Sequence, residues 1–244
     1  LSGAGVILAD AIDDCKNLAE KLSAPVACGY QHNDSFPGKH PLAVGPLGYN
    51  GSKAAMEIIS KADVVLALGT RLNPFSTLPG YGIDYWPKNA DVIQVDINSD
   101  RIGLTKKISV GICGDAKLVA KQIISQLSST AGDDGREDRK ALIHQTKSSW
   151  LQTLTSLDHE EDDEGTSWNK DSRERDPDKM SPRMAWRAIQ VGLPDNAIIS
   201  SDIGNNCAIG NAYPSFEQGR KYLAPGLFGP CGYGFPSVLG AKIG

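Results

Sequence analysis

The sequence predicts an α/β protein: a doubly wound, Rossmann-like parallel-sheet unit followed by the first part of a second α/β unit. Three observations predict it. Continuous apolar runs at 63–70 (DVVLALGT), 91–97 (DVIQVDI) and 108–115 (ISVGICGD) read as strands buried on both faces. Helical patterns separate those runs, and strand–helix–strand repetition builds a parallel sheet with helices on its faces. After residue 180 the alternation resumes and leads into GLFGPCGYGFP (226–236), which has four glycines and two prolines in eleven positions.

The opening SGAGVIL places Gly3 and Gly5 as G-x-G, but Leu8 stands where a dinucleotide fingerprint needs its third glycine. A tight strand-to-helix turn is therefore expected. In GYQHND (29–34), Tyr30, Gln31, His32 and Asn33 form the most polar cluster in a loop after a strand, and His32 and His40 bracket a loop. Ser52 suits the N-cap of a helix carrying Ala54, Ala55, Ile58 and Ile59. Asp115 suits the N-cap of the next, with Val119, Ala120, Ile123, Ile124 and Leu127 as its apolar stripe.

Residues 133–180 carry a charge of −6, against +2 for the rest of the chain, and DHEEDDEGTSWNKDSRERDPDKM shows no usable periodicity. This predicts an acidic linker with some helix near 138–154, tacked down by isolated tryptophans (Trp150, Trp168). Ser181 and Pro182 then read as N-cap and N1 of a helix. NAIISSDIG (196–204) reads as a strand, NNCAIGNAY as a helix, KYLAP as a second short strand and 237–243 as a last helix. Two strands are too few for a stable doubly wound sheet. Three units are thus expected: 1–130, the linker 131–180, and 181–244 as the opening of an unfinished domain. Leu1 and Gly244 both read as cuts in a longer protein.

Composition narrows the function. A formal charge of −4 and a pI near 5.6 argue against nucleic acid or an anionic membrane as partner. No apolar run approaches the ~20 residues that span a bilayer. Five cysteines without a C-x-x-C pair read as free thiols in a reducing cytoplasm, and the four histidines show no metal-ligand spacing. A metal site in DHEEDD is less expected than a solvated charge run.

The glycine-rich loop sits at the carboxyl end of a strand, where open α/β sheets bind ligands. A strand ending in SDIGNN, followed by YLAPGLFGPCGYGFPSVLGAKIG, resembles the cofactor-binding domain of thiamine-diphosphate enzymes of the acetolactate synthase group. Residues 1–127 resemble that group's central domain, through ALGTR, VDI and GDAK. Within the group, CGYQHNDSFPGKHPL, GPLGYNGSKAAMEIISKADVVLALGTRLNPFSTLPGYGIDYWP and DHEEDDEGTSWNK are most similar to the branch acting on sulfoacetaldehyde.

The resemblance implies an activity: sulfoacetaldehyde and phosphate give acetyl phosphate and sulfite, with thiamine diphosphate as electron sink. It implies Mg2+, whose ligands would follow Gly244, and a homo-oligomer with sites at subunit interfaces. The activating glutamate would precede Leu1, so no catalytic acid or base is expected within these residues.

For the cofactor, the resemblance points to Gly204, Asn205 and Asn206 at the diphosphate, where backbone N–H groups and amides can donate. It also points to the Gly229 carbonyl at the aminopyrimidine, with Gly232 in the same loop. Cys231 would lie under the bend of the cofactor. Relatives usually carry a bulkier apolar residue there, so Cys231 departs from the pattern. Arg71, Tyr30, His32 and Asn33 are candidates for the anionic substrates, since arginine binds sulfonate or phosphate bidentately. A nucleotide- or FAD-binding regulatory module, or another acetolactate synthase-like enzyme, stays open as an alternative.

Overall fold

The computed structural model describes residues 1–127, 135–159, 180–226 and 228–244. The chain opens with Ser2 in extended conformation, then turns into α1 (Ala4–Leu8) and α2 (Ile12–Leu22). Next come β1 (Val26–Cys28), β2 (Ala43–Pro46), α3 (Lys53–Ile59), β3 (Val64–Leu68), α4 (Pro74–Thr77), β4 (Asp91–Asp96), β5 (Val110–Cys113) and α5 (Ala116–Gln126). A long helix, α6 (Arg136–His159), follows. After residue 180 come α7 (Pro182–Gly192), β6 (Ile199–Ser200), α8 (Asn205–Ala212), β7 (Tyr222–Leu223) and α9 (Gly234–Ile243).

Every strand pairing is parallel: β1 with β2, β3 with β4, β4 with β5, and β6 with β7. Ser2 bridges Cys28 on one side and Leu68 on the other. It therefore joins the two halves of the first sheet in the spatial order β2, β1, Ser2, β3, β4, β5. This is the predicted doubly wound arrangement, and its reason is visible in the core. Val65, Ala67 and Leu68 of β3 and Val92 and Val95 of β4 are buried. Helices cover the sheet with matching apolar stripes, Ala55, Ile58 and Ile59 from α3 and Val119 and Ala120 from α5. Burying each large aliphatic side chain stabilises by about 1.5–3 kcal/mol.

The expected caps form. Ser52 Oγ accepts from Ala55 N, Asp115 Oδ1 accepts from Lys117 N and Leu118 N, and Ser181 Oγ accepts from Met184 N. The G-x-G opening is the expected tight turn. A Cβ on Gly5 would lie 2.6 Å from Gly69 Cα, and one on Gly3 2.5 Å from Thr70 Cβ. Both glycines thus serve the close approach of the first turn to the end of β3.

Three elements differ from expectation. Strand β2 follows the loop bracketed by His32 and His40 and was not expected, because two buried residues, Ala43 and Val44, make too short an apolar signal. Strand β6 spans two residues of the nine expected. The helix expected near 138–154 extends over 24 residues and packs on α3, more extensively than a linker held by isolated tryptophans would. Ile143 and Thr146 are buried, Arg139 Nη2 donates to Leu22 O, Lys147 Nζ donates to His40 O, and Trp150 meets Tyr81 edge-on at 5.3 Å. The acidic stretch 160–179, with Trp168, lies outside the described residues.

Candidate functional site

Two segments meet at the carboxyl ends of β6 and β7. After β6 the chain turns at Gly204, whose φ of +91° belongs to glycine, and enters α8. Nothing lies within 4 Å of where a Gly204 Cβ would be. Asn205 and Asn206 open the helix with exposed side chains, and α8 has no side-chain cap. Cys207 N already donates to Gly204 O at 3.1 Å, so it is the N–H groups of Asn205 and Asn206, with the helix dipole, that present partial positive charge to this space.

After β7 the glycine-rich loop leads into α9. Gly229 and Gly232 both have positive φ, +58° and +87°. Gly229 faces Ile203, whose Cδ1 would be 3.1 Å from an added Cβ, and the space at Gly232 is open. Cys231 is exposed beside them. The sequence-predicted residues Gly204, Asn205, Asn206, Gly229, Cys231 and Gly232 thus flank two successive strand ends.

A cleft of about 430 Å3 opens at this end of the second sheet, bounded by Trp186, Asp202, Asn206 and Phe235. Larger cavities of about 550 and 660 Å3 lie under α6 and are lined mainly by apolar core side chains. Volume favours those two. Convergent polar groups favour the smaller one, and a charged ligand needs polar groups.

Sequence reasoning missed Asp202. Its Oδ1 accepts from Ile203 N at 2.8 Å and Gly232 N at 3.0 Å, and its Oδ2 accepts from Gly234 N at 3.0 Å. Backbone donors, Gly234 first, hold its carboxyl below the usual carboxylate range. The partners lie 30 and 32 residues away, a separation at which no periodicity or motif speaks.

The four substrate candidates fall into two groups. Tyr30 and Asn33 face α8. Tyr30 stacks on Phe75 at 5.6 Å with its hydroxyl 3.3 Å from Cys207 Sγ, and the neighbouring Gln31 Nε2 also donates to that sulfur. Asn33 Nδ2 donates to Asn211 O at 2.7 Å and Pro214 O at 3.2 Å. Burial drives the Tyr30 phenol well above its ordinary value, so it stays protonated. His32 and Arg71 lie together instead: burial, then the Arg71 guanidinium, lower the imidazole pKa to about 4. His32 is therefore neutral at pH 7.

Asp34, also missed, is buried and accepts from Lys221 N and Tyr222 N at the start of β7. Burial raises its pKa, against those same donors, which lower it. Among the described residues no three His, Cys, Asp or Glu side chains converge as a metal site would require. No helix among them is long and apolar enough to cross a membrane.

The N-terminus of α8, without a side-chain cap, and a loop of glycines thus stand at the ends of β6 and β7, with open space beside Gly204 and Gly232. The family described as thiamine pyrophosphate enzyme, central domain, matches residues 1–123. The chain is 76% identical to a probable sulfoacetaldehyde acetyltransferase of Rhizobium meliloti (strain 1021) over all 244 residues, which cover 41% of that protein. It is 75% identical to a sulfoacetaldehyde acetyltransferase of Roseovarius nubinhibens, covering all of this chain and 40% of that protein. Against a probable acetolactate synthase large subunit of Methanococcus aeolicus, identity is 30% over 243 residues, all of this chain and 39% of that protein. The chain thus spans about two-fifths of the length of these relatives. By its central domain, the chain belongs to the thiamine pyrophosphate enzymes.

Proposed function

We propose that this chain is part of a thiamine-diphosphate-dependent sulfoacetaldehyde acetyltransferase, which converts sulfoacetaldehyde and phosphate to acetyl phosphate and sulfite. The observation that carries this reading is identity of 70–76% along the chain to three proteins of that name, against 30% to an acetolactate synthase. A substrate-specific branch is favoured by that gap.

When bound, thiamine diphosphate supplies a stabilised carbanion and takes up electrons from the cleaved bond. This chain's residues bind and orient. The N–H groups and amides of Asn205 and Asn206, with the Gly204 turn, hold the diphosphate. The Gly229 carbonyl would be placed to accept from a ring donor of the cofactor, the Cys231 side chain would pack against it, and Gly232 would leave room for it. Arg71, His32, Tyr30 and Asn33 remain candidates for the anionic substrates. Of these, Arg71 alone carries a charge suited to a sulfonate or phosphate. The enzyme also uses Mg2+, for which no three His, Cys, Asp or Glu side chains converge among the described residues, and the working enzyme is a cytoplasmic homo-oligomer.

The test uses the full-length protein that carries this chain, with thiamine diphosphate and Mg2+. Sulfoacetaldehyde and phosphate should yield sulfite and acetyl phosphate. Formation of acetolactate from pyruvate, without sulfite release from sulfoacetaldehyde, would place the protein with the acetolactate synthases instead. The 244 residues alone should release no sulfite above a protein-free control.

A further inference from the structure

Two helices start at the carboxyl ends of β6 and β7, and their N-termini are treated differently. The α8 terminus has no side-chain cap. The N–H groups leading into α9 are already held: Gly232 N by Asp202 Oδ1 and Gly234 N by Asp202 Oδ2, both at 3.0 Å. An anion is therefore drawn to one terminus and repelled from the other. The same carboxylate ties the glycine-rich loop to the turn preceding Gly204. Ser200 Oγ and Ser237 Oγ add a second tie at 2.6 Å, and Ile203 fills the space beside Gly229.

We propose that Asp202 is a positioning residue for the cofactor: its carboxylate clamps residues 232–234 to the end of β6, setting the width of the slot between the Gly204 turn and the glycine-rich loop. The inference rests on the cofactor reading above, but the clamp can be observed without cofactor. Glycine gives residues 226–234 no side chains of their own to fix their path, and glycine-rich backbone is costly to order. A carboxylate that accepts both N–H groups supplies that order from outside the loop. Asn at the same position has one acceptor oxygen and turns an NH2 group toward the other donor.

Asp202→Asn and Asp202→Ser are compared with wild type in the full-length protein. Without cofactor, hydrogen–deuterium exchange of 228–236 should be about tenfold faster in Asp202→Asn, by loss of capping bonds, while 64–68 exchanges as in wild type. Asp202→Ser, which keeps one acceptor and brings no NH2 group against the second N–H, should recover part of the protection. Calorimetry with thiamine diphosphate and Mg2+ should show roughly five- to tenfold weaker affinity for Asp202→Asn. The KM for the cofactor should rise accordingly, with kcat recovered at saturating cofactor. Equal exchange in wild type and Asp202→Asn would overturn the clamp, and a loosened loop with unchanged affinity would overturn its positioning role. A protected loop in a wild-type protein that binds no thiamine diphosphate would overturn the cofactor reading and leave the clamp standing.

Discussion

His32 shows how one residue's surroundings decide its chemistry. Its imidazole, held to a pKa of about 4 by burial and Arg71, stays neutral through the range where a free histidine takes up a proton. The unfolded chain binds more protons than the folded one between about pH 4 and 6.5. Stability should therefore fall as pH drops through that window, by at most about 1.4 kcal/mol per unit. Asp34 works in the opposite sense, since its raised pKa favours the folded state where its carboxyl is protonated. The two overlap, so the measurement is a difference: denaturant unfolding of wild type and His32→Gln from pH 4 to 7. The variant should lose less stability on acidification, and parallel curves would mean that His32 is solvated.

Cys231 is the other informative residue, an exposed thiol among glycines. If it supports the bent cofactor, Cys231→Ala in the full-length protein should weaken thiamine-diphosphate affinity about fivefold, by loss of one packed sulfur. Cys231→Met should be tolerated and Cys231→Asp should be far worse, because its charge would sit near a diphosphate. Equal affinities by calorimetry for wild type, Ala and Asp would show that the side chain points elsewhere.

At the scale of elements, caps and buried strands were legible and short or distant pairings were not. Asp115 serves as an example. An acid directly before an apolar 3.6-residue stripe announces a helix start, and its Oδ1 does accept two first-turn N–H groups. Asp115→Ala should cost about 0.5–2 kcal/mol in chemical denaturation. A cost near zero would assign the start of α5 to tertiary packing alone.

Strands β3 and β4 were readable because helices bury most of their apolar positions, whereas β5, also read as buried on both faces, is largely exposed. Strands β1 and β2 are three and four residues long, and their neighbours are bound by tertiary contacts rather than pattern. Helix α6 has a weak stripe, since among the residues whose burial is described only Ile143 and Thr146 are buried, so its length was not predictable from periodicity. In the candidate site the glycines and asparagines stood out through their composition and their resemblance to known loops, and the structure sets them at the ends of β6 and β7. Asp202 and Asp34 were not, because each acts on backbone groups far along the chain.

At the scale of the whole molecule, the first sheet and the 180–244 segment share a polar seam. The loop 29–39 receives the stretch between α8 and β7. Gly38 N donates to Phe216 O, Asn33 reaches Asn211 O and Pro214 O, and Asp34 accepts from Lys221 N and Tyr222 N. Asn211, fully buried, is its centre: Oδ1 accepts from Gln31 N at 2.7 Å and Nδ2 donates to Tyr49 O at 2.9 Å. Leucine at this position would match the volume but leave the Gln31 N–H and Tyr49 C=O without those partners. Each such loss costs about 1–3 kcal/mol when the group stays buried. The alternative open to the variant is to part the seam and let water reach both groups. Asn211→Leu should therefore uncouple the two units, splitting the calorimetric unfolding transition or bringing the 180–244 segment down first in hydrogen exchange. Met56→Ala is the control. It cavitates the core of the first unit, where Met56 is fully buried, at about 2–5 kcal/mol, and should lower the transition without splitting it. A single, unshifted transition in Asn211→Leu would mean that Asn211 carries no coupling and that the other bonds of the seam, Gly38 N to Phe216 O and Lys221 N and Tyr222 N to Asp34, hold the two parts together instead.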